Sequence, residues 1–262
     1  MGTPEGHVPC LSRVVQLPRL TLVTKVTSLA NLYLSRDPRA TCGSALESKV
    51  NVMKLAAIGV SVHSGWGVVV AMAGVLGAEE ILDRRRLVII DPKATGAAQP
   101  YHYVEEMEIR AAERHLTRCA ADSRRLALEA LTRVSIELRD QGLMLAGAAI
   151  LLSSARPLPD LEEILASHAL IHTAEGEFFR QAFRSTFERL EIPVTGIRAR
   201  DLDDCAKKAF GKLAPEVHKR IDGMGRNLGL PWTKDEKTAA LAAAIVLAGA
   251  HSKVHAVHSS SA

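Results

Sequence analysis

The sequence predicts a mixed α/β layer with the element order βββαβαβα. Three observations carry that expectation. Two short Val/Ile/Ala-rich runs, Leu55 to Ser61 and Gly67 to Ala73, are joined by the turn VHSGW; later apolar runs are separated by long stretches of helical period; and an Ala-rich closing segment is apolar almost all round. Runs joined by short turns pair antiparallel, whereas runs separated by helices need crossovers and pair parallel.

Size and composition bound the rest. With 262 residues, 47% hydrophobic and 24% charged, the chain has ordinary globular composition and length for one large core or two small ones. A formal net charge of +4 is compatible with nucleic acid or another polyanion and equally with no such partner; a homo-oligomer is compatible with either. Cys10, Cys42, Cys119 and Cys205 are far apart and form no CxxC pair, so neither a zinc knuckle nor a disulfide scaffold is suggested, and a reducing cytoplasm fits best. No apolar run reaches the roughly 20 residues of a membrane span, so no membrane partner is expected.

Residues 1–52 are rich in Arg, Ser, Thr and Leu, have few acids and show no sustained period. They read as a poorly structured N-terminal extension outside the native fold, with regular patterning from Met53 onward. The hairpin of two buried strands follows. Ile81 to Asp91 is a third strand whose alternation breaks at Arg84 to Arg86, an edge feature. Tyr101 to about Asp140 is a long helical region with an expected interruption near Ala120 to Ser123. Leu143 to Ser153 is a nearly uninterrupted apolar run suited to a strand covered on both faces. Asp160 with Glu163 forms a capping box, opening a helical stretch to Glu191 with a potential break near Thr173. Pro193 starts a fifth strand. Leu202 to Leu230, basic and punctuated by glycines, reads as a looser insertion. Thr233 with Glu236 caps a last helix from Lys234 to about His251, which closes a domain of residues 53–251 and leaves 252–262 as a flexible tail.

Polar groups interrupt this pattern in one place. Around Phe179, Ala182, Phe183 and Leu190 a helix presents an apolar stripe, with Glu177, Arg180, Arg184 and Glu188 on the solvent side. His168, His172 and Glu175, spaced i, i+4, i+7, extend the apolar stripe, so they are expected to point inward, where unpartnered polar groups are costly. HxxxH is also helical metal-ligand spacing. The turn VHSGW adds His63 and Ser64; glycine turn geometry and a core role for Trp66 account for the rest of it. Asp91 reads as a strand-end cap and His102, with Tyr101, as a contact at the start of a helix. Trp232, Asp235 and Lys237 open the last helix. The helix dipole explains Asp235, whereas a cation at Lys237 is disfavoured there unless it meets an anion. Arg84 to Arg86 and the basic segment Lys207 to Arg226 read as solvated faces that can also touch a phosphate backbone.

The order βββαβαβα, the segments SHALIHTAEGEFFRQAF and LEIPVTGIRARDL, and the Ala-rich PWTKDEKTAALAAAIVLA resemble the RNase H-like superfamily, with the arrangement of the RuvC-type resolvases, over about residues 53 to 251. SGW, SHALIHTAEGEFFR and PWTKDEK also look like an uncharacterised bacterial family of that fold. The resemblance implies a five-stranded mixed sheet with helices on both faces, and carboxylates from the first strand, the fourth strand and the last helix holding divalent metals, Mg or Mn. The chain departs from that set. Gly59-Val60-Ser61 supplies serine where aspartate is expected, Ser153 and Ser154 stand where a glutamate is usual, and only Asp235 falls in the expected region.

Two functions follow. The first is a domain binding nucleic acid or a phosphate-bearing ligand, with metal-assisted phosphoester hydrolysis through a non-standard set. There His168, His172, Glu175 and Asp235 are catalytic, Glu175 and Asp235 hold the metal, and His63, Ser64, Asp91, His102, Trp232 and Lys237 bind ligand. The second is a non-catalytic interaction domain that has lost the acidic cluster. Convergence of His63, His168, His172, Glu175 and Asp235 favours the first; scatter favours the second.

Overall fold

The computed structural model describes residues 54–153 and 157–259, without the side chains of 253–259. The expected extension 1–52, Met53 and Ser154 lie outside the described residues. β1 (Lys54–His63) and β2 (Trp66–Ala73) form a hairpin whose turn, Ser64 and Gly65, needs Gly65 at φ +80°. β3 (Glu80–Val88) pairs antiparallel with β2, while β4 (Leu143–Leu152) and β5 (Val194–Arg198) run parallel to β1. The resulting order, β3-β2-β1-β4-β5, is the RNase H-like mixed sheet that the element order predicts.

Strand alternation decides which polar residues meet which helix. The even-numbered Ala56, Ile58 and Val60 of β1 share a core with Leu131 and Leu138 of α2 (Ile109–Asp140) and with Phe179, Phe183 and Phe187 of α4 (His168–Arg189). Each of those side chains is almost completely buried, a gain of about 1.5–3 kcal/mol apiece for all but Ala56. Odd-numbered Gly59 and Ser61 face the opposite way, onto α7 (Lys234–Ser259). There the backbones nearly touch, because a Cβ on Gly59 would stand 1.8 Å from the carbonyl oxygen of Ala239. The run of buried alanines 239, 240, 242, 243 and 244 gives α7 the thin surface that such an approach requires. So α2 and α4 cover one face of the sheet and α7 the other.

Several boundaries differ from the sequence expectation. α2 is unbroken through Ala120 to Ser123, since the alanines favour helix and Ser123 is buried without disturbing it. The break comes earlier, between α1 (Pro100–Tyr103) and Glu108, whose carboxylate caps α2 by accepting from the backbone N–H groups of Arg110 and Ala111. α3 (Leu161–Leu165), capped by Asp160, is separated from α4 at Ala166 and Ser167 rather than near Thr173, whose hydroxyl donates back to the Ala169 carbonyl. The expected loose insertion consists of two helices, α5 (Leu202–Phe210) and α6 (Ala214–Leu228), both packed on α7. Gly211 and Gly229 end them at positive φ, so these glycines are helix stops rather than loop residues. The backbone of α7 continues to Ser259, past His251, where a flexible tail was expected. Among the described residues no helix is long and apolar enough to cross a membrane.

Candidate functional site

Two polar clusters stand where the sequence suggested one. The first joins β1 to α7. The expected capping box forms: Glu236 accepts from the Thr233 backbone N–H at 2.8 Å, and Thr233 Oγ1 accepts from that of Asp235 at 3.3 Å. This places Asp235 over β1, where its Oδ1 accepts from Ser61 Oγ at 3.1 Å and its Oδ2 lies 3.0 Å from His63 Nε2. The His63 ring stacks on Trp66, with centroids 4.2 Å apart, and the Arg86 guanidinium sits 3.7 Å from the Trp66 ring centroid. The His63 and Asp235 side chains are 37% and 35% exposed, so their pairing as ions is worth no more than about 1 kcal/mol. The clamp matters more for the nearly buried Ser61 hydroxyl, which would otherwise lack an acceptor.

The second cluster joins α1 to α4. Glu175 is 3% exposed, and its Oε2 accepts from the backbone N–H of His102 at 3.3 Å and lies 2.8 Å from the same residue's Nδ1. Burial pushes the Glu175 carboxyl above the usual carboxylate range, and the bonds from His102 oppose that shift. Burial, with the Glu175 charge second, likewise raises the neighbouring Tyr101 phenol. Beyond His102 stand His172 and His168, with ring centroids 4.7 and 5.5 Å away; their own Nε2 atoms are 3.1 Å apart. One nitrogen from each of the three rings lies within 4.8 Å of the others, so this group has the donor atoms and closeness to hold a metal ion. α1 is held from its other side by Tyr103, whose ring rests 4.6 Å from that of His115 on α2. Burial, then the Arg118 charge, lowers the His115 pKa.

The expected single pocket of His63, His168, His172, Glu175 and Asp235 does not exist, because the sheet lies between its halves. Of the α4 residues expected to point inward, only Glu175 does; His168 and His172 are exposed. The stripe of α4 covers the sheet further along, while its first turns meet α1 instead. Glu175 and Asp235, proposed to share a divalent ion, are on opposite faces. Of the remaining candidates, Asp91, Trp232 and Lys237 have structural partners and the serines are exposed. Ser64 is exposed at the hairpin turn, Ser153 is exposed past β4, and Asp91 accepts from the Lys93 backbone N–H at 2.9 Å. Trp232 Nε1 donates to the Ile221 carbonyl at 2.9 Å and Lys237 meets Asp222 at 3.0 Å, so the anion that Lys237 requires is on α6.

The three arginines of β3 are also taken up within the fold. Arg84 donates to the carbonyls of Leu228, the last residue of α6, and of Gly229 and Pro231 beyond it, Arg85 pairs with Asp83 and Glu137, and Arg86 lies on Trp66. Arg180, expected on the solvent side, is 6% exposed and bound to Glu177 at 2.9 Å. Its guanidinium fills the space that Gly176 leaves open, about 3 Å from where a Cβ would stand. A glycine within a helix was the available signal for it.

No protein-family model matches this chain, and none of the curated proteins does. Among solved structures it is similar to Thermus thermophilus RuvC in complex with a Holliday junction substrate, at 12% identity and a TM-score of 0.40, covering 76% of this chain and 96% of that one. A second T. thermophilus RuvC structure matches at 11% identity and a TM-score of 0.41 over the same shares. The Aquifex aeolicus member of the Ppx/GppA family matches at 10% and 0.32, covering 61% of this chain and 40% of that one. These are likenesses of fold alone, and neither a site nor an activity is carried over from them.

Proposed function

We propose that this chain is a binding domain of RNase H-like fold that is non-catalytic at its β1–α7 edge, where Ser61, His63 and Asp235 clamp the first strand to the last helix. The observation that supports this is that both Asp235 oxygens are met by side chains of β1, one of them a serine where the resemblance implies a carboxylate. A two-metal centre needs several oxygens turned towards the ions; here the acid is turned towards protein donors. A polyanion such as nucleic acid is the partner class we test first, although of the formal net charge of +4 residues 1–52 supply +3 and residues 53–262 only +1 (27 Lys and Arg against 26 Asp and Glu). A second reading, metal-assisted phosphoester hydrolysis, is favoured by the three imidazoles beside Glu175.

The test is a cleavage and binding screen on branched, single-stranded and hybrid nucleic acids with Mg or Mn, comparing wild type with Asp235→Asn and Glu175→Gln. The clamp reading expects binding without Asp235-dependent cleavage. Metal-dependent cleavage abolished by Asp235→Asn contradicts it, and cleavage abolished by Glu175→Gln alone establishes the second reading.

A further inference from the structure

We propose that His102, His168 and His172 bind one transition-metal ion of the zinc type, with Glu175 as the outer carboxylate that orients His102. His168 and His172 are one helical turn apart on the same face of α4, and their Nε2 atoms are already 3.1 Å apart. Ligand nitrogens in a tetrahedral shell with bonds of about 2.0–2.1 Å are about 3.3 Å apart. The third ring arrives from α1 and brings a nitrogen within 4.8 Å of the other two, a gap that rotation of the exposed His168 and His172 side chains can close.

The second shell is also in place. Metal-bound imidazoles characteristically give their other ring nitrogen to a carboxylate, which fixes tautomer and ring direction. Glu175 does this for His102, through its backbone N–H as well as Nδ1, and is itself buried. In the neutral tautomer that carries its proton on Nδ1, Nε2 is the nitrogen of His102 left to bind a metal, and among the described residues no hydrogen bond engages it. Three imidazoles with no carboxylate in the inner shell suit zinc, cobalt, nickel or copper rather than magnesium, which seeks oxygen ligands. This replaces the Mg or Mn expectation that rested on Glu175 and Asp235. Because His168 and His172 are exposed, the fourth position opens to water. The inference is independent of the clamp at the β1–α7 edge.

The experiment is a titration of the full chain with cobalt(II), read by visible absorption, and with zinc, read by calorimetry. His255→Ala and His258→Ala are present throughout to remove the histidines of the tail. One ion per chain is expected, with affinity falling about 100-fold or more in His168→Ala and His172→Ala, and about 10–100-fold in Glu175→Gln with stoichiometry kept. His63→Ala and Asp235→Asn should bind as wild type does. Since His168 and His172 are exposed, their variants should unfold at the wild-type temperature without metal and, unlike the parent, should gain no thermal stability on adding zinc. Binding unchanged in the His168→Ala/His172→Ala double variant, no binding by the parent, or magnesium binding as tightly as zinc would each overturn the proposal.

Discussion

The β1–α7 edge and the α1–α4 cluster both bring histidine to a carboxylate, and they differ in what is left over once the two have met. At the edge, Asp235 is answered on each oxygen by a side chain of a single strand, and the His63 ring lies flat on Trp66. In the cluster, Glu175 holds one imidazole by one oxygen while its Oε1 has no hydrogen-bond partner among the described residues, and two further rings stand beyond. The first arrangement closes on itself and the second stays open. The same residue types thus make a seam in one place and a set of aimed donor atoms in the other, according to whether their partners are exhausted.

The sharpest way to break this contrast is to strike the seam. Gly59→Ala forces a Cβ against the backbone of α7, and we expect a loss of about 3 kcal/mol or more, or failure to fold, read by denaturant unfolding. Asp235→Ala is milder. It leaves Ser61 without its acceptor and should destabilise by about 1–2 kcal/mol while leaving zinc binding unchanged; a loss of zinc would merge the two regions into one site.

On the α1 side, His115 has a lowered pKa in the folded chain, so its contribution is present above about pH 6.5 and is lost as pH falls through the folded value. Thermal unfolding followed from pH 7 downward should show that decline, and His115→Gln should flatten it. The smallest effect is expected at Gly176. There a Cβ meets only the far end of Arg180, helix propensity offsets the displacement, and Gly176→Ala should stay within about 0.5 kcal/mol of wild type.

The sheet and its order were legible because period and loop length specify them. The hairpin turn at Gly65, the helix caps at Asp160 and Thr233 and the alanine run of α7 each state their role locally. What was not legible was the face on which each polar residue lands. β1, β4 and β5 are added in one direction, so right-handed crossovers put α2 and α4 on the same side, and α7, which leads to no further strand, lies on the other. That rule, together with the alternation of Gly59 and Ser61, separates Asp235 from Glu175; the apolar stripe of α4 by itself does not. His102 and Glu175 are 73 residues apart, and no local period connects them. The stripe also misled at its end, since His168 and His172 follow its phase but lie where α4 has α1 rather than the sheet as a neighbour.

The most direct test of two separate regions is an anomalous difference map at the zinc edge, from crystals of the chain grown with zinc. One peak about 2.0–2.1 Å from a nitrogen of each of His102, His168 and His172, with Ser61 and His63 still on Asp235, is the result expected. A peak on Asp235, with the three imidazoles unoccupied, would contradict it.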